Sequence, residues 1–395
     1  MPGAPPLNPL NPTSFRADPE GMPHLRRLHG FRHKETLARS PAALAGMSAA
    51  IACVLAACAA IPWPQPPRTP SSSVRRSDRW LDLRGVVHVH TRGSHDSPGT
   101  VEEVVEAARS AGLEWVALTE HFEPGELPSW GRIRGVTILP GYELRAAGAS
   151  LFAIGVSERP PELRDPVALV RRIHELHGVA VVGHFEQSQL ADPGAFERAA
   201  PDGVEIVNLH ALARERTWSL AWKGVFLPTP VALRSLLRVP EANIARWERL
   251  PGSPTLVAGV DAHAKFRVLG ALGGTLDRYR DIFRSLTTHV LARDADAASI
   301  LEALRAGRTY VAVEGLAPVD SFVFERRGKD FLLEAPAEAR LALVCDGVEV
   351  ASVLARRAEL SPSPGARRCR AEAWRSKRLW IMTGHLEATT APGHS

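Results

Sequence analysis

At 395 residues the chain exceeds what one small core needs, so a large domain with appendages is expected. The net charge is only +5, and part of it lies in an N-terminal arm (Arg16, Arg26, Arg27, Arg32, Lys34, Arg39) with no comparable run after Arg76, which argues against stable nucleic-acid binding. Four cysteines are too few for a disulfide scaffold, and none has the CxxC spacing of a structural zinc site.

The basic arm is followed by Ser40–Ala57, almost wholly apolar or small, in the charged-then-apolar order of a secretory signal. Its end, Leu55-Ala56-Ala57-Cys58, resembles the bacterial lipobox, which implies cleavage before Cys58 and acylation of that residue. Residues 1–57 are therefore expected to be removed, with an uncleaved anchor helix as the alternative. Residues 58–78 are rich in Pro and Ser and read as an extended tether. Both readings export the body, as a bacterial membrane lipoprotein facing the periplasm or the cell exterior.

From residue 79 to 315 short apolar runs alternate with amphipathic helices. The runs are Gly85–His90, Glu114–Thr119, Gly135–Pro140, Leu151–Val156, Val179–Gly183, Gly203–Asn208 and Thr255–Val260. Apolar on both faces, they predict buried parallel strands. Thr100 is placed to cap a helix over Val101–Ala111, with Glu103 in capping-box position and Gly112 closing it. Further helices are expected over Asp165–His177 and Asp294–Ala306. The alternation favours an α/β barrel or an open doubly wound sheet. Residues 316–395 change texture: Ser321–Phe324, Asp330–Leu333, Leu341–Val344 and Leu379–Met382 read as antiparallel strands of a small C-terminal β domain. Cys345 and Cys369 fall there, either paired in an oxidising compartment or left as two thiols.

The chemistry lies at the strand ends. His88 and His90 are two apart on one strand, so both imidazoles project from one face and can chelate one cation. The next turn supplies His95 and Asp96, and the later strands end in Glu120-His121, Glu143, His184 and Asp261-Ala262-His263. Any one of these is unremarkable, but parallel α/β folds converge the carboxyl ends of their strands into one site. Burying so many such groups together without a cation would cost several kcal/mol. His174 and His177 lie on a helix and read as surface or packing residues, whereas Asn208 and His210 end a strand and are expected to line the pocket without binding metal.

Leu83-Arg-Gly-Val-Val-His-Val-His-Thr-Arg-Gly-Ser-His-Asp-Ser97 resembles the first motif of the PHP (polymerase and histidinol phosphatase) family. Leu118-Thr-Glu-His121 is similar to its second, and Gly141-Tyr-Glu143, Gly183-His184 and Gly259-Val-Asp-Ala-His263 follow in the family's order. The resemblance spans about Asp82 to Ala312 and implies a distorted (β/α)7 barrel. It also implies that His88, His90, Glu143 and Asp261 bind one metal, that Glu143 bridges to a second site with His184, and that Asp96, His121 and His263 surround a further one. Two departures stand out: Glu120 replaces the usual Asp, and Ser150 lies near the place of a further His. Two divalent metals (Mn, Fe or Zn) are therefore expected, with a third left open.

The implied activity is that of a metal-dependent hydrolase, first of all a phosphoesterase on a small anionic ester, with a metal-activated hydroxide as nucleophile. Glu143, Asp261 and His263 are the expected catalytic residues, and Lys265 and Arg267 are candidates to meet the substrate. A carboxylic or carbamic ester hydrolase on the same site and a lipid-anchored, metal-containing binding module are the alternatives.

Overall fold

The computed structural model describes residues 74–75, 80–121, 131–215, 233–265 and 278–388, all within one unit, Ala52–Ser395. The signal region 1–57, Cys58, Arg267 and all but two residues of the 58–78 tether lie outside them. Among the described residues no helix is long and apolar enough to cross a membrane.

The strands are β1 (Val74–Arg75), β2 (Leu81–Val89), β3 (Trp115–Leu118), β4 (Gly131–Ile133), β5 (Val136–Leu139), β6 (Gly141–Ala146), β7 (Ala149–Ile154), β8 (Val179–Gly183), β9 (Gly203–Asn208) and β10 (Thr255–Ala262). They continue as β11 (Thr287–Ala292), β12 (Thr309–Ala312), β13 (Val323–Arg327), β14 (Asp330–Cys345), β15 (Val348–Leu360), β16 (Arg368–Arg375), β17 (Arg378–Thr383) and β18 (Leu386–Glu387). The helices are α1 (Val101–Ala111), α2 (Pro166–Glu175), α3 (Pro193–Ala199), α4 (Leu209–Glu215), α5 (Glu241–Glu248), α6 (Tyr279–Ile282) and α7 (Ala297–Arg305).

Local sequence explains the helix ends. The Thr100 hydroxyl accepts from the Glu103 amide while the Glu103 carboxylate accepts from the Thr100 amide, and Gly112 closes α1 in the left-handed region at φ 69°. Val104, Val105, Ala107, Ala108 and Ala111 form its buried stripe. Asp165 caps α2, with Pro166 at its first position. The expected start of α7 at Asp294 is two residues early: Asp296 caps it, accepting from the Ser299 amide.

The result is a mixed α/β sheet. β2 pairs in parallel with β3 and β10, β3 with β5, and β9 with β8 and β10. β3 and β6 meet at one bridge, Glu120 opposite Tyr142. An all-parallel set is not what forms. β7, expected to be parallel, runs antiparallel to both β6 and β8; the two-residue turn Ala147–Gly148, with Gly148 at φ 66°, leaves no room for a crossover helix between β6 and β7. Close approach also shapes the layer, since a Cβ on Gly85 would lie 2.2 Å from the Trp115 ring.

The ladder continues into the C-terminal region, where β11 pairs with β2 and β12, and β12 pairs with β17. There Asp330–Leu333 and Leu341–Val344, read separately in the sequence, belong to the single strand β14. It pairs with β13, β15 and β16 around a core that includes Phe322, Phe331, Leu341 and Trp380. Cys345 and Cys369 face each other across β14 and β16 and are disulfide-bonded, 24 residues apart in sequence. Arg368 donates to the Glu248 carbonyl at the end of α5 (2.6 Å), and Arg378 to the Arg234 carbonyl (3.1 Å), fastening the β domain to the α/β layer.

Two predictions follow from buried groups remote from the strand ends discussed above. Burial pushes the Glu114 carboxyl up to about 6, even though it accepts from the Arg84 amide. Between the ordinary carboxylate value and pH 6 the folded state binds more protons than the unfolded one, so stability falls as pH rises through that window, by about 2 kcal/mol. Glu114→Gln is expected to be more stable than wild type above pH 7, with the gap closing towards pH 4.5 in urea titrations. Replacing Cys345 and Cys369 by Ser should cost about 3 kcal/mol, read as a lower urea midpoint under oxidising conditions that vanishes in the presence of reductant.

Candidate metal centre

The ends of five strands bring the expected groups together. His88 lies within β2 and His90 just after it, His121 just after β3, Glu143 in β6, His184 just after β8, and Asp261 in β10 with His263 beyond it. Glu143 Oε2 lies 3.2 Å from His88 Nε2, 3.6 Å from His121 Nε2 and 3.7 Å from His90 Nε2, while its Oε1 lies 3.4 Å from His184 Nε2. Asp261 Oδ1 lies 3.5 Å from His88 Nε2 and 3.8 Å from His90 Nε2. The His90 ring stacks against those of His121 and His263, at 4.4 and 4.2 Å.

The backbone is not regular here. The register of β2 shifts between Val87 and Val89, and that of β10 between Gly259 and Ala262. His88, His184 and Asp261 all sit in the left-handed region, at φ 69°, 45° and 49°. Simple strand alternation therefore does not account for how both imidazoles of the His-x-His pair reach the same carboxylates; a bulge re-aims His88. Such backbone costs on the order of 1–3 kcal/mol per residue and persists only where the surroundings over-determine it.

Electrostatics divides the roles. Burial opposes charge on His88, but the Asp261 and Glu205 carboxylates and hydrogen bonds to Glu143 and Glu205 hold its pKa well above the usual value. Burial and the neighbouring imidazoles of His88, His263 and His121 push His90 well below it. Burial also works against ionising Glu143 and Asp261. Hydrogen bonds from His184 and His88 nevertheless bring Glu143 well below the ordinary carboxylate range, and the charges of His88, His210 and His263 lower Asp261.

These residues fit a cation. His90 Nε2 is buried and has no hydrogen-bond partner among the described residues, although two carboxylates stand nearby. Among the described residues, four donor sets have ligand atoms within 4.8 Å of one another: His90–His121–His263, His88–His90–Glu143, His88–His184–Asp261 and His210–Asp261–His263. Imidazole and carboxylate together suit Mn, Fe or Zn.

Asp96 stands outside these sets. Its Oδ2 lies 3.1 Å from His263 Nε2 and accepts from Lys265 Nζ at 2.5 Å. Burial raises the Asp96 carboxyl, but the Lys265 hydrogen bond and the His263 charge bring it down overall. Glu120 accepts from the Thr91 amide and from the Thr91 and Ser94 hydroxyls, so it shapes the turn rather than the donor sets. Ser150 donates its hydroxyl to Glu143 Oε1 at 2.7 Å.

Sequence reasoning missed two residues. His210, read as pocket lining, comes within 3.6 Å of Asp261 Oδ2 and completes one donor set; its signal was its place just after β9, beside Asn208. Glu205, wholly buried in β9, contacts His88 Nδ1 at 2.7 Å. The available signal was a lone carboxylate inside the apolar run Gly203–Asn208.

No family model matches the chain, and no curated protein matches it. Among solved structures it is similar to a two-domain protein from Bacteroides vulgatus containing a predicted PHP-like metal-dependent phosphoesterase. The identity is 17%, the match covers 82% of this chain and 98% of that one, and the TM-score is 0.39.

Elemental analysis after incubation with Mn, Fe or Zn salts is expected to show at least two equivalents in the wild type and fewer in His90→Ala. Equal contents in the two proteins would remove His90 from the centre.

Proposed function

We propose that this chain is a metal-dependent hydrolase of the PHP type, acting first of all on phosphoesters. The observation that carries the reading is the convergence of His88, His90, His121, Glu143, His184, Asp261 and His263 into overlapping donor sets, with His90 Nε2 buried and without a hydrogen-bond partner among the described residues. The motifs in which these residues occur follow the family's order. The same reading takes the fold as a distorted (β/α)7 barrel, supported by pairings that lead from β2 through β3 and the Glu120–Tyr142 bridge to β6, β7, β8, β9, β10 and back to β2.

His88, His90, Glu143 and Asp261 would hold one ion, Glu143 with His184 a second, and His121 and His263 would border a third position beside Asp96. Bound divalent ions would activate water and neutralise charge growing on a phosphoryl oxygen. The protein's own part begins with Asp261, which the adjacent imidazoles keep ionised. Its Oδ1 is placed to take a proton from attacking water and lies 3.3 Å from His263 Nδ1. Ser150 holds one oxygen of Glu143, so that the carboxylate keeps its orientation between the His88 and His184 rings. Lys265, at the rim beside Asp96, offers an ammonium to an anionic substrate.

The exported, lipid-anchored location belongs to the same proposal. The lipobox-like Leu55–Cys58 supports it, as does the Cys345–Cys369 disulfide, a bond typical of oxidising compartments.

The test is turnover by the metal-loaded chain. Hydrolysis of p-nitrophenyl phosphate, with little of p-nitrophenyl acetate, and a fall of at least about 100-fold in Glu143→Ala are expected. Preference for the acetate would move the substrate class to carboxylic esters. No turnover by a metal-loaded chain across an ester panel would overturn the enzymatic reading in favour of a binding module.

A further inference from the structure

We propose that Glu205 is the positioning residue of this centre, holding His88 and the His184 turn so that both present Nε2 to Glu143 and Asp261; the inference rests on the metal-dependent reading above. The Glu205 carboxylate is completely buried in β9, where it is the one charged residue in the run Gly203–Asn208. A carboxylate in such a place costs several kcal/mol unless its oxygens are satisfied. No Lys or Arg satisfies them within the hydrogen bonds seen among the described residues. His88 Nδ1 lies 2.7 Å from Oε1, the His184 amide donates to Oε2 at 2.7 Å, and Asn208 Nδ2 donates to both oxygens at 3.1 and 3.2 Å. Asn208 also reaches Asp261 Oδ2 at 3.3 Å.

One side chain thus touches two expected ligands on different strands and, through Asn208, a third. A carboxylate that accepts from Nδ1–H fixes the tautomer and ring orientation of a histidine and leaves Nε2 for the cation. The His184 contact acts on the backbone instead, tying down an amide in a residue at φ 45°. The neighbouring strand makes room for this arrangement. A Cβ on Gly259 would lie 1.6 Å from Glu205 Oε1, so only glycine at that position lets the carboxylate stay where it is.

The experiment titrates Co2+ into the full chain as wild type, Glu205→Gln and Gly259→Ala, following visible absorption, with thermal unfolding of each preparation as the folding control. Gly259→Ala is the second arm because it displaces the Glu205 carboxylate and changes no ligand. Both folded variants are expected to bind Co2+ about 10- to 100-fold more weakly and with a shifted ligand-field band. Adding Glu205→Gln to His88→Ala should cost much less than it does alone, as expected for a residue acting largely through His88. If the wild type takes up no Co2+, the metal-dependent reading falls and this inference with it. If the wild type binds and a folded variant matches its affinity and spectrum, the positioning role alone is overturned. Unfolding of both variants would assign Glu205 to the fold and overturn it as well.

Discussion

Two carboxylates buried among imidazoles set the terms for the rest of the molecule. Glu143 and Asp261 are almost fully enclosed, and six histidines, in or after β2, β3, β8, β9 and β10, face them. An uncompensated carboxylate at that depth would be prohibitively costly, so positive charge must stand beside it. Against burial, the Asp261 and Glu205 carboxylates draw His88 towards its protonated form, while burial and the neighbouring imidazoles draw His90 away from it, and His90 Nε2 has no hydrogen-bond partner among the described residues. On the metal-dependent reading, a bound cation would supply the positive charge that these carboxylates require.

Holding such a set requires a rigid frame, because left-handed backbone at His88, His184 and Asp261 relaxes wherever the surroundings permit. The strands that carry them are filled with side chains closed to solvent, among them Val86, Val89, Leu118, Val182 and Val260. Serine and threonine hydroxyls fasten the turns behind the site: Ser97 donates within reach of both the His90 and His263 carbonyls, and Glu120 ties Thr91 to Ser94. The C-terminal β domain adds to this frame from the side. Arg370 pairs with Glu248 and Glu372, and His385 stacks on Trp247 at 4.1 Å, so α5 is clasped between the two regions.

Local chemistry made much of this legible. The Thr100–Glu103 capping box and the apolar strand runs act through residues at most a few positions apart, and each appears where the pattern put it. The places of His88, His90, His121, His184, Asp261 and His263 near strand ends could also be read, since a strand followed by a turn delivers its last residues to one edge; Glu143 instead lies inside β6, a strand that the apolar runs did not include. The direction of β7 was misread because apolar character says nothing about strand polarity; the two-residue turn before it decided that. β14 was read as two strands because Pro336, Glu338 and Arg340 interrupt its apolar run, while in the sheet those positions reach outward.

The sequence by itself determined which residues were chemically equipped for a cation and at which strand ends they would fall, because side-chain type and spacing are local properties. Tertiary structure decided how they meet. Glu205 finds His88 across 117 residues, Asp96 finds Lys265 across 169, and Ser97 finds the His263 carbonyl across 166. His210 turns towards Asp261 only because β9 and β10 lie side by side, with a register shift between Val257 and Ala258. Such pairings depend on the order and offset of strands in the sheet, which hydrophobic burial of the whole layer selects and which no window of neighbouring residues contains.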